Sequence, residues 1–209
     1  VQRSSIKQDL YRRDFTINTM AICLDRDRFG ELLDYYGGER DLREGRIRVL
    51  HNLSFVEDPT RILRAVRFEQ RLGFVIEPRT EELIDQALEL LNRVTGERLR
   101  HELYLLLSES EPEHSLERLE HMGALSQVDP DLCYSSGMSE LFVRLRERFS
   151  KMRRSRAKMR RSRDAWPSGK TGSRLAEGAE DSQEAAPTLC LCYLALLTGF
   201  AAPLPRFPT

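Results

Sequence analysis

Apolar and polar residues follow a helical spacing most clearly between Glu57 and Gly73. Asp58 is a suitable N-cap, Pro59 suits the first helical position, and Gly73 can adopt the left-handed conformation that ends a helix. At about 100° per residue, one broad arc is apolar, formed by Ile62, Leu63, Ala65, Val66, Phe68 and Leu72. The opposite arc is narrow and basic, formed by Arg64, Arg67 and Arg71. The pattern predicts an amphipathic helix with an arginine stripe.

Arg61 is the exception, because its direction lies inside the apolar arc. A guanidinium stays ionised and is costly to bury unpaired, so we expect Arg61 to extend past the helix start into a polar pocket that also holds Asp58. Asp58 as hydrogen-bond acceptor and Arg61 as donor could together recognise the edge of a nucleobase. Cytosine and adenine present an amino group beside an unprotonated ring nitrogen, whereas uracil and guanine present a carbonyl beside a ring N–H. The alternative is that Asp58 only caps the helix and Arg61 is a surface residue.

The remaining pattern predicts a small sheet followed by helices. An apolar segment follows a charged cluster between residues 9 and 24, a short strand within residues 30–38 ends in a glycine turn, and residues 47–50 read as another strand. From Pro78 to Gly123 the leucine spacing predicts successive amphipathic helices that pack on one another. A further helix is predicted over residues 141–149. The fold class predicted is therefore α+β.

Composition and charge narrow the classes of function. The chain has 209 residues, of which 40% are hydrophobic, and 33 basic residues balance 33 acidic ones. Any affinity for nucleic acid must then come from local patches, since the global charge is zero. Four cysteines, unpaired in spacing except for Cys190 and Cys192, indicate reduced thiols, and no apolar run is long enough to span a membrane. These features predict a cytosolic or organellar protein without a membrane partner. Because the first residue is valine, we expect the sequence to be a fragment.

Four motifs stand in an order and spacing that identify a family resemblance. They are Arg12 to Asn18, Asp34 to Leu42, Glu57 to Arg61, and Glu97-Arg98 with Glu102. Over residues 5 to 125 the chain resembles the class II tRNA nucleotidyltransferases and bacterial poly(A) polymerases. The resemblance implies the end of a small mixed α/β head, followed by an all-α neck and body. It also implies template-independent transfer of AMP or CMP from ATP or CTP to an RNA 3′ end, with tRNA as the principal partner.

The same resemblance implies roles for individual residues. Asp58 and Arg61 would read the incoming base, Arg64 and Arg67 would contact the nucleotide, and Arg13 would contact its phosphates. Asp14 would lie near the ribose. Four further motif residues would have structural roles: Asp34, Asp41, Arg98 and Glu102. Of these, Arg98 and Glu102 would brace the helices. From the sequence alone, Arg98 and Glu102 at i, i+4 can also form an exposed ion pair.

Catalysis in this family uses two metal ions held by a pair of aspartates one residue apart, and a glycine-rich turn precedes these aspartates in the sequence. In this chain Asp25 and Asp27 have that spacing, but Arg28, Phe29 and Gly30 after them read as a hairpin turn and no glycine-rich loop precedes them. We therefore expect Mg²⁺ to be bound by an N-terminal part of the head that the printed sequence lacks. The chain alone is expected to be catalytically inactive.

The C-terminal third carries an unusual basic duplication. Residues 151–156 are repeated at 158–163, which places eight positive charges before Asp164. This segment is either an RNA-backbone patch, a targeting signal or a low-complexity insertion. Residues 166–187 are predicted to be disordered, and residues 189–200 an apolar helix.

The sequence thus predicts a partial head at 1–55, a helical nucleotide-selecting neck and RNA-binding body at 56–150, a basic and disordered segment at 151–187, and an apolar tail at 188–209. The competing interpretation is a non-catalytic RNA-binding helical protein derived from the same family.

Overall fold

The computed structural model describes residues 5–164. The chain divides into two compact units, residues 1–130 and 131–209. The predicted disordered stretch at 166–187 and the predicted apolar helix at 189–200 lie outside the described residues. The four predicted domain ranges stay predictions.

The first unit begins with a short helix and a hairpin. Helix α1 (Ile6–Tyr11) leads through a 3-10 turn at Thr16–Asn18 into strand β1 (Met20–Ile22), which pairs antiparallel with β2 (Leu32–Asp34). A 3-10 turn at Arg26–Arg28 and a positive φ of 84° at Gly30 complete the hairpin connection. The predicted strand within residues 30–38 and the turn after Asp27 are confirmed.

The chain then turns sharply into helix α2 (Gly38–Glu44). The Asp34 carboxylate accepts hydrogen bonds from the backbone N–H groups of Tyr36, Gly38 and Glu39 at 2.9 to 3.2 Å. Burial by itself would raise the pKa of Asp34, but these backbone donors outweigh it and lower the pKa below its usual value. Gly38 must be glycine for space, because an added Cβ would lie 2.3 Å from the Thr16 carbonyl oxygen.

Asp41 anchors the other end of this turn. It is fully buried, accepts a 2.7 Å hydrogen bond from Thr16 Oγ1, and lies 3.0 Å from Arg48 Nε. Asp34 and Asp41 therefore hold α2 against the 3-10 turn at 16–18 and the strand that follows it.

A two-residue parallel strand pair links the N-terminal segment to the helices that follow. Strand β3 (Arg46–Ile47) pairs with β4 (Val75–Ile76), and between them lie helices α3 (Ser54–Glu57) and α4 (Arg61–Leu72). The strand predicted at 47–50 is shorter than expected. Val49 forms only an isolated bridge with Phe15.

Helix α4 ends as predicted but begins later. Gly73 adopts φ 65° and stops the helix, whereas regular α-helix starts at Arg61 and the N-cap position is Thr60. The predicted start at Asp58 was wrong because the first turn is 3-10-like: the Arg61 N–H donates to the Asp58 carbonyl and the Ile62 N–H to the Pro59 carbonyl. Asp58 still acts locally as a cap, since its Oδ1 accepts from the Thr60 N–H at 3.1 Å.

The helices after β4 confirm the predicted succession. They are α5 (Pro78–Ala87), a 3-10 segment at Leu88–Arg93, α6 (Gly96–Leu107), α7 (Pro112–His121) and α8 (Ala124–Val128). Helices α6 and α7 pack against α4, in whose apolar arc Ile62, Leu63, Ala65 and Val66 are at most 1% exposed. Leu72 departs from the predicted arc and is 42% exposed, because it lies in the last turn before Gly73.

The described part of the second unit contains helix α9 (Ser136–Asp164). This helix includes the predicted segment 141–149 and continues through both copies of the basic duplication. Arginine, lysine, methionine and alanine all favour helix, so the backbone of this part of the low-complexity segment is helical. Among residues 5–164 no helix is both long and apolar enough to cross a membrane.

Candidate nucleotide-binding cleft

The first unit contains a cleft of about 920 Å³ beside the start of α4. Three segments form it: the turn after α1, the 3-10 turn that leads into α4, and one side of α6. Its lining contains six arginines and four carboxylates, so two positive charges are in excess. The charged lining residues are Arg12, Arg13, Asp14, Asp58, Arg61, Arg64, Glu97, Arg98, Arg100 and Glu102. This charge balance suits an anionic ligand.

Asp58 occupies the cleft wall with both carboxylate oxygens engaged. Oδ1 accepts from the N–H and the hydroxyl of Thr60 at 3.1 and 2.6 Å, and Oδ2 lies 2.7 Å from Arg98 Nη2. Each carboxylate oxygen has two lone pairs, so Oδ1 is saturated by its two hydrogen bonds from Thr60, whereas Oδ2 can accept a further hydrogen bond. Asp58 is thus held in position and retains capacity for a donor from a ligand.

Arg61 lines the same cleft as Asp58, as the hydrophobic pattern predicted. Its Nη1 donates to Ser54 Oγ at 2.6 Å, and its Nη2 donates to the Arg12 carbonyl oxygen at 3.1 Å. These contacts explain how a guanidinium on the apolar side of a helix is accommodated. A guanidinium has five N–H groups, so Nε–H and further hydrogens remain for another acceptor.

Arg64 and Asp14 form the most buried ion pair of the cleft. Arg64 Nε lies 2.9 Å from Asp14 Oδ2, and Nη2 contacts the same oxygen. Asp14 Oδ1 accepts from Asn18 and from the Phe15 N–H. Burial would raise the pKa of Asp14, but the hydrogen bonds from Asn18 and Arg64 lower it below its usual value. Asp14 therefore remains ionised and fixes the direction of Arg64.

Glu102 is a second acidic partner of the arginine stripe on α4. It is buried and lies 3.4 Å from Arg64 Nη1 and 3.9 Å from Arg67 Nη2. Arg98 pairs with Asp58 and not with Glu102, so the expected exposed i, i+4 pair is absent from α6. The reason is that each side chain meets an opposite charge on the α4 side of the interface.

Arg67 does not line the cleft. It is 7% exposed, and its guanidinium contacts Glu102 and lies 3.4 Å from Glu109 Oε1, with the Phe68 ring centroid 5.0 Å away. Arg13 and Arg64 do line the cleft, so the structure brings together all the predicted nucleotide contacts except Arg67.

Sequence reasoning missed several cleft residues. The exposed side of α6 contributes Glu97, Arg100, His101 and Tyr104. The leucine spacing had predicted only helix packing here, and Glu97 had been named as a motif residue without a role. Arg12 was also missed, although its position next to Arg13 was a usable signal. Within residues 5–164, the side chains of Arg12 and Arg13 are exposed and make no hydrogen bond or ion pair.

The residues described do not form a magnesium site. No group of three or more His, Cys, Asp and Glu side chains among them could hold a metal. Asp25 and Asp27 lie at the 3-10 turn of the β1–β2 hairpin and do not line the cleft. Asp25 Oδ2 instead accepts a 3.7 Å contact from Cys23 Sγ.

Two family models match the chain. Residues 1–48 match the poly A polymerase head domain, and residues 73–135 match the probable RNA and SrmB-binding site of polymerase A. Together they cover about half of the chain. Helix α4 lies between the two matched ranges.

Curated relatives show the same resemblance over a longer stretch. The A-adding tRNA nucleotidyltransferase of Geobacter sulfurreducens is 57% identical over 134 residues, which are 63% of this chain and 15% of that protein. The A-adding enzyme of Halalkalibacterium halodurans is 42% identical over 151 residues, 70% of this chain and 35% of that protein. The chain thus spans a minor part of the curated relatives it matches.

Solved structures share the fold. A CCA-adding enzyme in complex with ATP has a TM-score of 0.64 and 54% identity, over 67% of this chain and 34% of that one. The Thermotoga maritima CCA-adding enzyme complexed with tRNA has a TM-score of 0.63 and 54% identity, over 68% of this chain and 35% of that one. The motifs, the two matched domains and these neighbours together show that the chain belongs to the family of CCA-adding tRNA nucleotidyltransferases and bacterial poly(A) polymerases.

Proposed function

We propose that this chain is part of an RNA nucleotidyltransferase that adds AMP, CMP or both from ATP and CTP to RNA 3′ ends, in the processing of tRNA 3′ ends. The names of the relatives support tRNA as the RNA, and the neighbours bound to ATP, CTP and tRNA support both substrates. The part described here would form the wall that selects and holds the incoming nucleotide.

The observation that carries this proposal is the convergence of Asp58 and Arg61 in one arginine-rich cleft. Asp58 can accept from the amino group of cytosine or adenine, while Arg61 can donate to the adjacent ring nitrogen. Uracil and guanine would place a carbonyl against the carboxylate and an N–H against the guanidinium. Because unpaired buried groups are costly, this arrangement discriminates strongly against both bases.

The remaining arginines suit the charged part of a nucleotide. Arg12 and Arg13 are exposed in the cleft and form no ion pair with any described residue, so their guanidinium forks are available to phosphate oxygens. Arg64 is directed by Asp14 and Glu102 and would contact the nucleotide, with Asp14 near the ribose. Arg67, buried beside Glu109, would act by supporting Glu102.

Mg²⁺ is the cofactor that the family resemblance implies, and it would neutralise charge on the triphosphate. The described residues do not fit a magnesium site. We therefore expect the 209-residue chain to give no extension of a tRNA lacking its 3′ end when incubated with Mg²⁺ and labelled ATP or CTP. Robust extension would contradict this and would direct attention to Asp25 and Asp27.

Nucleotide binding by the 209-residue chain tests the proposal. Calorimetric titration should show binding of ATP and CTP in preference to GTP and UTP. The Arg13→Ala variant should lose affinity for all four nucleotides by a similar factor, because phosphates are common to them. Arg79→Ala is the matched control, since Arg79 is exposed, pairs with Glu82 at 2.6 Å and does not line the cleft. Equal binding of all four nucleotides, or none, would refute the proposal.

A further inference from the structure

Asp58 and Arg61 are each held by a hydroxyl group that is buried beneath the cleft. Ser54 Oγ accepts a hydrogen bond from Arg61 Nη1 at 2.6 Å. Thr60 Oγ1 donates a hydrogen bond to Asp58 Oδ1, also at 2.6 Å. Ser54 is 0% exposed and Thr60 is 3% exposed, so water has little access to either hydroxyl. This hydroxyl pair, Ser54 and Thr60, therefore acts on the two side chains without competition from solvent.

Ser54 fixes part of the Arg61 guanidinium. Nη1 donates to Ser54 Oγ and makes a longer contact, 3.4 Å, with the Ser54 carbonyl oxygen, while Nη2 donates to the Arg12 carbonyl oxygen at 3.1 Å. These contacts use three of the five guanidinium N–H groups, which leaves the Nε–H and one Nη2 hydrogen for a ligand. Because the guanidinium is a planar fork, fixing these nitrogens also fixes the direction of the remaining donors.

Thr60 fixes the Asp58 carboxylate in a similar way. Its N–H and hydroxyl occupy both lone pairs of Oδ1, at 3.1 and 2.6 Å, so Oδ2 is the oxygen that remains for a ligand. A carboxylate that can rotate offers acceptors in several directions, whereas this one offers a single oxygen in a single direction. Strict discrimination between bases needs such fixed groups, because a mismatched group that can turn away is no longer penalised.

A threonine that binds a carboxylate at a helix start can also be a simple cap. Helix α5 contains such a cap, since Glu77 accepts from the Thr80 N–H at 2.8 Å and from the Thr80 hydroxyl at 3.0 Å, and neither residue lines the cleft. The arrangement before α4 differs in two respects. Its carboxylate lines the cleft, and a second buried hydroxyl holds the arginine that lies beside it.

We propose that Ser54 and Thr60 are specificity-determining positioning residues, which hold Arg61 and Asp58 in the arrangement that accepts cytosine or adenine. This inference rests on the proposed function and adds the residues that make base selection strict. Without the Ser54 hydroxyl, Arg61 can turn and offer other hydrogens. Without the Thr60 hydroxyl, Oδ1 regains a lone pair and the carboxylate can rotate. Uracil and guanine then meet groups that can move away, so their exclusion weakens.

Titration of ATP, CTP, GTP and UTP into Ser54→Ala and Thr60→Val variants of the 209-residue chain tests this proposal. Each variant should reduce the preference for CTP over UTP by about 2- to 12-fold, the range that corresponds to one hydrogen bond. Thr60→Ser retains the hydroxyl and should retain the preference. In an Arg61→Ala background, Ser54→Ala should cause no further change in preference, because the contact between the two side chains is already lost.

Thr80→Val and Ser115→Ala are the matched controls. Thr80 makes the same type of carboxylate contact at α5, Ser115 is a buried serine at 1% exposure, and neither lines the cleft. Both controls should keep the preference for C and A, even where urea unfolding shows that they are destabilised as much as the test variants.

The outcomes separate this inference from the proposed function. If the parent chain prefers C and A and both Ser54→Ala and Thr60→Val keep that preference, the inference is wrong and the proposed function stands. The inference is also wrong if Thr80→Val lowers the preference as much as Thr60→Val does, because loss of stability then accounts for the effect. If the parent binds all four nucleotides equally, or none of them, both fail.

Discussion

Replacing Asp58 by asparagine isolates base selection from helix capping. In the folded chain, Thr60 donates to Oδ1 and Arg98 forms an ion pair with Oδ2, so both neighbours favour a carboxylate oxygen. An asparagine side chain has one acceptor oxygen and one NH₂ group. The oxygen can keep the Thr60 contacts at 2.6 and 3.1 Å, which leaves the NH₂ group facing the position of Arg98.

The cost to folding is expected to be small. Arg98 is 52% exposed and can turn toward water, so loss of this ion pair should cost no more than about 1 kcal/mol. The cost to base selection should be larger. Exchanging an acceptor for a donor at a base edge changes discrimination by about 1–3 kcal/mol, which is a factor of about 5 to 150 in the preference for CTP over UTP.

The assay is titration of all four nucleotides into Asp58→Asn, with circular dichroism to confirm helix content. Arg98→Ala is the matched control, because it removes the same ion pair and leaves the carboxylate in place. It should keep the preference for C and A. If Asp58→Asn keeps that preference too, Asp58 is only a helix cap and the reasoning about this cleft is refuted.

Three further predictions concern stability and RNA binding. Because the pKa of Asp14 is lowered in the folded state, the contribution of its carboxylate to stability is complete above the unfolded pKa of about 3.9 and is lost as pH falls through the folded pKa. Asp14→Asn should therefore flatten the decline in the free energy of urea unfolding between pH 5 and 3. An unchanged decline would contradict this. Gly38→Ala should destabilise the chain by about 1–3 kcal/mol in urea unfolding through overpacking, whereas Gly96→Ala, where an added Cβ meets nothing within 4 Å, should be nearly neutral; equal effects would refute the close-approach argument. Deleting residues 151–163 should reduce the salt dependence of tRNA binding if the basic duplication contacts RNA backbone, and an unchanged slope would assign it no binding role.

Local sequence determined much of the first unit. The stop of α4 at Gly73, the strand Leu32–Asp34 before its glycine turn and the helices after Pro78 all follow from residue type and spacing, because these features depend on backbone conformation and on one apolar face. The exceptional direction of Arg61 also predicted its place in a pocket with Asp58. A charged residue inside an apolar arc is a local signal of a polar site, since it must find partners.

Only the tertiary structure decided which charges pair. Arg64 and Arg67 lie on one stripe of α4, yet Arg64 meets Asp14, fifty residues earlier, while Arg67 is buried beside Glu109, forty-two residues later. Helical periodicity places both on the same face but contains no information about what packs over each turn. Opposite charges on separate elements meet only when those elements dock, and the cost of burying an unpaired charge then selects the partners.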